Sequence, residues 1–195
     1  HINFLYRHGS LFTTCNGNLL FHGCIPFTED GDFMEVTIGG KTNHGAALMK
    51  QLDHSLREAY FNPGEGVDKA DAANLMWYLW LGPDSPLFGK DKMTTFERLF
   101  IEDKATHKEH TVPYYKLIND KDICIKIIRD FDLDPTKGII LNGHVPVKIK
   151  DGESPIKGEG KLIVIDGGIS KAYQKTTGIA GYTFIFNSWF MALSE

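Results

Sequence analysis

Apolar positions repeat first with the period of strands, then of helices, then of strands again. Leu11-Phe-Thr-Thr-Cys15 and Asn18-Leu-Leu-Phe-His22 are short strand-like runs, and the Asn16-Gly17 pair between them is a strong two-residue hairpin signal. From Asn43 to Tyr60, Ala47, Leu48, Leu52, Leu56, Ala59 and Tyr60 recur at threes and fours between Lys50, Asp53, Arg57 and Glu58, which predicts an amphipathic helix. Asn62-Pro63-Gly64-Glu65-Gly66 breaks it. The stretch from Asp71 to Leu81 is apolar nearly all round and predicts a deeply buried helix with Trp77, Tyr78 and Trp80 in the core. Thr94 and Glu97 have capping-box spacing ahead of a short helix through Ile101, and Ile123, Ile127, Ile128 and Phe131 mark a fourth helix over 120–131. Beyond Pro135 strands return at Ile139-Ile-Leu141, Lys161-Leu-Ile-Val-Ile165 and Tyr182-Thr-Phe-Ile-Phe186. Each ends in a polar or glycine cluster: Asn142-Gly143-His144, Asp166-Gly167-Gly168 and Asn187-Ser188.

This mixture indicates an α/β (α+β) protein. Composition narrows the picture further: 42% hydrophobic and 24% charged residues with 20 glycines in 195 exclude a disordered, collagenous or coiled-coil chain. The longest apolar run, Leu75 to Leu81, has seven residues, far below the roughly 20 of a membrane-spanning helix. A net charge of −4 without a dense basic stretch argues against nucleic acid. Cys15, Cys24 and Cys124 form no disulfide or zinc pattern, which fits a reducing cytoplasm, with Cys24 read as a small buried filler. The chain opens at His1-Ile2 without Met, so a longer parent protein is one expectation.

The candidate chemistry lies in two histidines. His22 and His144 each follow an apolar strand and adjoin a glycine, in Phe21-His22-Gly23 and Gly143-His144-Val145. An imidazole at a strand end can give a nitrogen to a metal, and glycine beside it permits close approach. The alternative is a histidine bonded to a loop carbonyl. His8, His44, His54, His107 and His110 lie in polar surroundings and are expected to face solvent.

Several dense strings carry more information: Leu20-Phe-His-Gly-Cys-Ile-Pro26, Trp77-Tyr-Leu-Trp80, Ser85 through Arg98, Asn142-Gly-His-Val-Pro-Val-Lys148, Val164-Ile-Asp-Gly-Gly168 and Thr176 through Tyr182. Together they resemble the C-terminal portion of the class III fructose-1,6-bisphosphatases of Firmicutes. The resemblance implies part of a calcineurin-like metallophosphatase, a β-sandwich flanked by helices with two divalent metals, usually Mn2+, at strand ends. It implies that His22 and His144 ligate one of those metals and act in catalysis. It further implies that the chain hydrolyses the 1-phosphate of fructose 1,6-bisphosphate, in gluconeogenesis, together with the missing N-terminal part of the same enzyme. Pro146 stands where the common Gly-His-x-His form has another ligand, and the Asp-x-His, Gly-Asp-x-x-Asp-Arg and Gly-Asn-His-Asp/Glu motifs are absent. The chain by itself is therefore expected to bind manganese weakly and turn over little substrate.

On this reading residues 1–195 are one partial domain: a hairpin and loop over 1–42, a helical insertion over 43–135, and C-terminal strands over 136–195. Lys90, Lys92 and Arg98, beside the Thr94 helix start, are candidates for the sugar's second phosphate, a solvated charged loop being the plainer reading. Asp166 is a candidate to orient His144, and Lys171 to Gly178 offers another cationic, hydroxyl-rich loop. The competing functional class is a non-catalytic module in assembly or anion binding, whose open sheet edge or apolar patch would drive homo-oligomers.

Overall fold

The computed structural model describes residues 1–62, 64 and 67–195. In chain order the elements are α1 (Ile2–His8), β1 (Phe12–Cys15), β2 (Asn18–Phe21), β3 (Val36–Ile38), β4 (Lys41–Asn43), α2 (Gly45–Phe61), α3 (Val67–Leu81), α4 (Thr95–Phe100), α5 (Tyr114–Leu117), α6 (Lys121–Asp130), β5 (Ile140–Asn142), β6 (Ile156–Lys157), β7 (Leu162–Val164), α7 (Gln174–Thr177), β8 (Thr183–Phe186) and β9 (Met191–Ser194). The mixed helix-and-sheet class expected from the pattern is what forms. The chain packs as two compact units, one of residues 1–11 and 24–116, the other of 12–23 and 117–195.

In the first unit α2 buries Ala46, Leu48, Met49 and Leu52 and leaves Lys50, His54 and Glu58 exposed, as its 3.6-residue period requires. Arg57 binds Asp53 at 3.1 Å and the carbonyls of Tyr6 and Gly9, while Asp53 accepts the Leu11 N–H at 3.0 Å, tying the end of α1 to α2. The expected break after α2 begins at Asn62, the α2 C-cap; its Pro63, Glu65 and Gly66 lie outside the described residues.

The buried-helix expectation for α3 fails: Leu79 is buried, Tyr78 is half-buried, and Trp77 and Trp80 are 55% and 65% exposed, their rings stacked 5.4 Å apart. An apolar helix is enclosed only if neighbours surround it. Here α3 lies against α2, and the tryptophans, three residues apart on one stripe, cover each other instead.

In the second unit β1 and β2 form the expected hairpin. Asn16 (φ 52°) and Gly17 (φ 77°) supply the two left-handed residues that a tight turn between right-twisted strands demands. A five-stranded sheet runs in the order β1-β2-β5-β7-β6, with β2, β5 and β7 parallel and both edge strands antiparallel. The register sets Leu20 opposite Leu141 and Leu141 opposite Ile163. Leu141 and Ile163 join Ile139 in a buried cluster, against which Leu20, Phe184 and Leu193 pack. Phe184 and Leu193 are paired partners in a separate hairpin, β8–β9, so the predicted Tyr182–Phe186 strand exists but pairs with β9 rather than with the main sheet. Amphipathic α6 belongs to this unit and buries Cys124, Ile127 and Ile128. All three cysteines are free thiols, Cys24 buried as expected. No helix among the described residues is long and apolar enough to cross a membrane.

Candidate metal half-site at the sheet's carboxyl end

The carboxyl ends of β2, β5 and β7 are laced by backbone bonds that fix where the following loops begin. The Gly143 N–H donates to the His22 carbonyl at 2.9 Å, the buried Asn142 amide donates to the Gly23 carbonyl at 3.0 Å, and the Ile165 N–H donates to the Asn142 carbonyl at 2.8 Å. Residues 122 positions apart are thereby held side by side. His22 Nε2 and His144 Nδ1 stand 2.9 Å apart, with the rings edge to face. His144 sits at φ 69°, a left-handed conformation uncommon for a residue other than glycine.

Partial enclosure holds the His22 imidazole below its ordinary pKa; neighbouring His144 adds to this, and Asp166 opposes it. A deprotonated ring nitrogen is what a metal requires. Two ligands at right angles on one cation, with bonds of about 2.1 Å, lie about 3.0 Å apart, so the pair fits as two donors of one ion. Without a metal the same spacing is a hydrogen bond in which one ring donates. The pair does not make a complete site: among the described residues no three His, Cys, Asp or Glu side chains gather to hold a metal.

Around the histidines lies a cavity of about 390 Å3, lined by Pro146, Ile165, Asp166, Gly167, Gly168, Ile169, Ser170 and Tyr173 as well. Asp166 Oδ1 accepts the Gly168 N–H at 2.9 Å, closing the loop after β7. That loop needs its glycine: a Cβ on Gly167 would stand 2.3 Å from the Ala180 carbonyl oxygen. A larger cavity of about 830 Å3 lies in the other unit, against α2 and α3, and His54, Glu58 and Asp71 are among the residues that line it.

The other candidate residues are placed differently. Lys90 Nζ donates to Glu109 at 2.7 Å; Arg98 lies 3.8 Å from the same carboxylate and donates to the Thr94 hydroxyl at 2.9 Å; Lys92 is exposed. Thr94 is the α4 N-cap residue but makes no capping bond. Its hydroxyl and N–H donate to Glu109 instead, at 2.9 and 3.0 Å, which replaces the expected capping box with Glu97. The hydroxyl's one proton makes a charge-assisted bond to the carboxylate, and its oxygen accepts from Arg98 rather than from a backbone N–H of the first turn. Glu109 is held down to about 2, chiefly by the Lys90 hydrogen bond. Of the histidines expected in solvent, His8, His44, His54 and His110 are exposed, whereas His107 is half-buried with a ring nitrogen 2.8 Å from the Ile101 carbonyl. Sequence reasoning missed Ser170 as a cavity residue, one position before the 171–178 loop it offered, whose Tyr173 also lines the cavity.

A family model described as Firmicute fructose-1,6-bisphosphatase matches residues 1–195. The class 3 fructose-1,6-bisphosphatase of Clostridium botulinum (strain Kyoto / Type A2) is 56% identical over 195 residues, covering 100% of this chain and 29% of the relative. That of Clostridium acetobutylicum is 55% identical over 193 residues, covering 99% of this chain and 29% of the relative. No solved structure matches. The chain thus spans less than a third of the length of these curated relatives, yet no part of it, the two histidine loops included, falls outside the family match. It belongs to the Firmicute fructose-1,6-bisphosphatase family.

Proposed function

We propose that the chain is the C-terminal part of a fructose-1,6-bisphosphatase that removes the 1-phosphate of fructose 1,6-bisphosphate by metal-activated water, in gluconeogenesis and in a reducing cytoplasm. The observation that carries this reading is the approach of His22 Nε2 to His144 Nδ1, 2.9 Å apart at the ends of parallel strands. When bound, two divalent cations, Mn2+ on this reading, lower the pKa of a shared water and neutralise charge on the phosphoryl group.

The chain's own contribution is narrower. His22 and His144 present two nitrogens to one ion, and the depressed pKa of His22 keeps that ring neutral at pH 7. Asp166, with one oxygen on Gly168, has the other for orienting an imidazole N–H. Ser170 and Tyr173 offer hydroxyls to substrate oxygens across the cavity. Two imidazoles without a carboxylate hold a hard dication poorly, so the remaining ligands come from the rest of the polypeptide. The main sheet and the β8–β9 hairpin, which share one core, are two layers of the calcineurin-like sandwich. Residues 43–135 act as an insertion in which Lys90, Lys92 and Arg98 receive the second phosphate; for this, Lys90 and Arg98 would exchange Glu109 for the sugar's phosphate.

The test uses a full-length class 3 enzyme carrying this chain as its matching segment. His22→Ala and His144→Ala should each lower turnover of fructose 1,6-bisphosphate by at least about 100-fold and reduce bound manganese, measured by plasma mass spectrometry. Unchanged turnover and metal content in both variants would remove the proposal.

A further inference from the structure

The core between the main sheet and the β8–β9 hairpin runs on beyond its own cover. Leu141 and Ile163, each 7% exposed, share one face of the sheet, and Phe184 and Leu193 close over them. Side chains alternate along a strand, so the next residues on those faces are Ile165, two beyond Ile163; Phe186, two beyond Phe184; and Met191, two before Leu193. Phe186 and Met191 are again cross-strand partners. These three are 42%, 41% and 53% exposed. Past them, the hairpin tip presents Trp189 at 91% and Phe190 at 54%. The strip reaches the candidate site, because Ile165 also lines the His22–His144 cavity. An apolar surface continuous with a packed core marks a place where something else packs.

We propose that the strip of Ile165, Phe186 and Met191 is the docking face for an apolar segment of the enzyme's remaining polypeptide, which lies over the hairpin and brings its side chains to the rim of the histidine cavity. The inference rests on the reading of the chain as part of a longer bisphosphatase. The relatives supply the occupant: the matched segment is 29% of their length, so more than two thirds of each polypeptide lies outside it. A tethered segment docks at an effective concentration near millimolar. A second copy would have to find the strip without such a tether, where stable interfaces bury about 800 Å2 per partner.

A photo-reactive benzoyl-phenylalanine in place of Phe186, in the full-length enzyme mixed from light and 15N-labelled copies, tests this directly. Light-induced crosslinks from position 186 should map by mass spectrometry to peptides of the same copy outside the segment matched here. Crosslinks between copies, crosslinks confined to the residues of this segment, or no crosslink would each overturn the proposal. As a second measurement, Phe186→Cys should react with N-ethylmaleimide at least tenfold more slowly than Ile185→Cys, which points to the opposite face; equal rates would overturn it. Crosslinking and labelling report position and not turnover, so the phosphatase reading can fail in its own assay while this result stands.

Discussion

The histidine end of the sheet and the cluster around Glu109 treat their polar groups in opposite ways. At the sheet's carboxyl end two imidazole nitrogens are pressed to 2.9 Å, one of their backbones is in a left-handed conformation, and no third ligand joins them among the described residues. Around Glu109 one carboxylate accepts from Lys90 and from the Thr94 hydroxyl and N–H, with Arg98 3.8 Å away. The first arrangement gathers two donors without a full ligand set among the described residues; the second is built from hydrogen bonds internal to the cluster. Cations near a helix start therefore say little about anion binding until their internal partners are known, whereas donors gathered by strand pairing and left incomplete say a good deal.

The largest effect that separates the two regions is the loss of at least about 100-fold in turnover expected for His22→Ala and His144→Ala. Next comes the scaffold beneath the histidines. Gly167→Ala would place a methyl group 2.3 Å from the Ala180 oxygen and 2.4 Å from its carbonyl carbon, a backbone-on-backbone clash that no rotamer relieves. We expect a loss of about 2–3 kcal/mol in unfolding free energy, read by urea denaturation, together with reduced turnover. Wild-type stability in this variant would show that the loop after β7 is loose, and that the histidine cavity is less built than the Glu109 cluster.

The contrast was only half legible in the sequence. Asn16-Gly17 announced its hairpin because a two-residue turn needs positive φ at both positions, a demand local to those residues. His22 and His144 could be singled out by strand-end context, but their convergence depends on β2 pairing with β5 in one register, Leu20 opposite Leu141, which no local pattern encodes. The same limit hid the partner of Thr94: Glu97 had capping-box spacing, and Glu109, fifteen residues away, took the bonds. Trp77 and Trp80 were misread because burial belongs to the neighbours of a helix as much as to the helix. β3, β4 and β9 went unseen because strands of three or four residues carry too few alternations to stand out.

Glu109→Ala sharpens the comparison from the other side. It would take their acceptor from the Thr94 N–H and the Lys90 ammonium, while the Thr94 hydroxyl keeps the His107 carbonyl at 3.1 Å, a loss of about 1–3 kcal/mol in stability. If the cluster is structural, the Michaelis constant for fructose 1,6-bisphosphate stays within about twofold; if Lys90 and Arg98 receive the second phosphate, removing their competitor lowers it about tenfold or more, the equivalent of about 1.4 kcal/mol.

The smallest effect is the pH dependence of that same stabilisation. The Glu109 carboxyl has an ordinary value of 4.5 and is held at about 2 in the folded protein, the Lys90 hydrogen bond outweighing the cost of partial burial. Between those values the unfolded chain binds a proton that the folded chain refuses, so stability falls with pH. Glu109 therefore stabilises in full above pH 4.5, progressively less as pH drops towards 2, and not at all below it. The difference in melting temperature between wild type and Glu109→Gln should be constant from pH 7 down to ~5, shrink below the unfolded value and close near the folded one. A difference that stayed flat down to pH ~3 would mean that Lys90 does not hold the carboxylate, and the contrast between a self-contained cluster and the histidine end would fall.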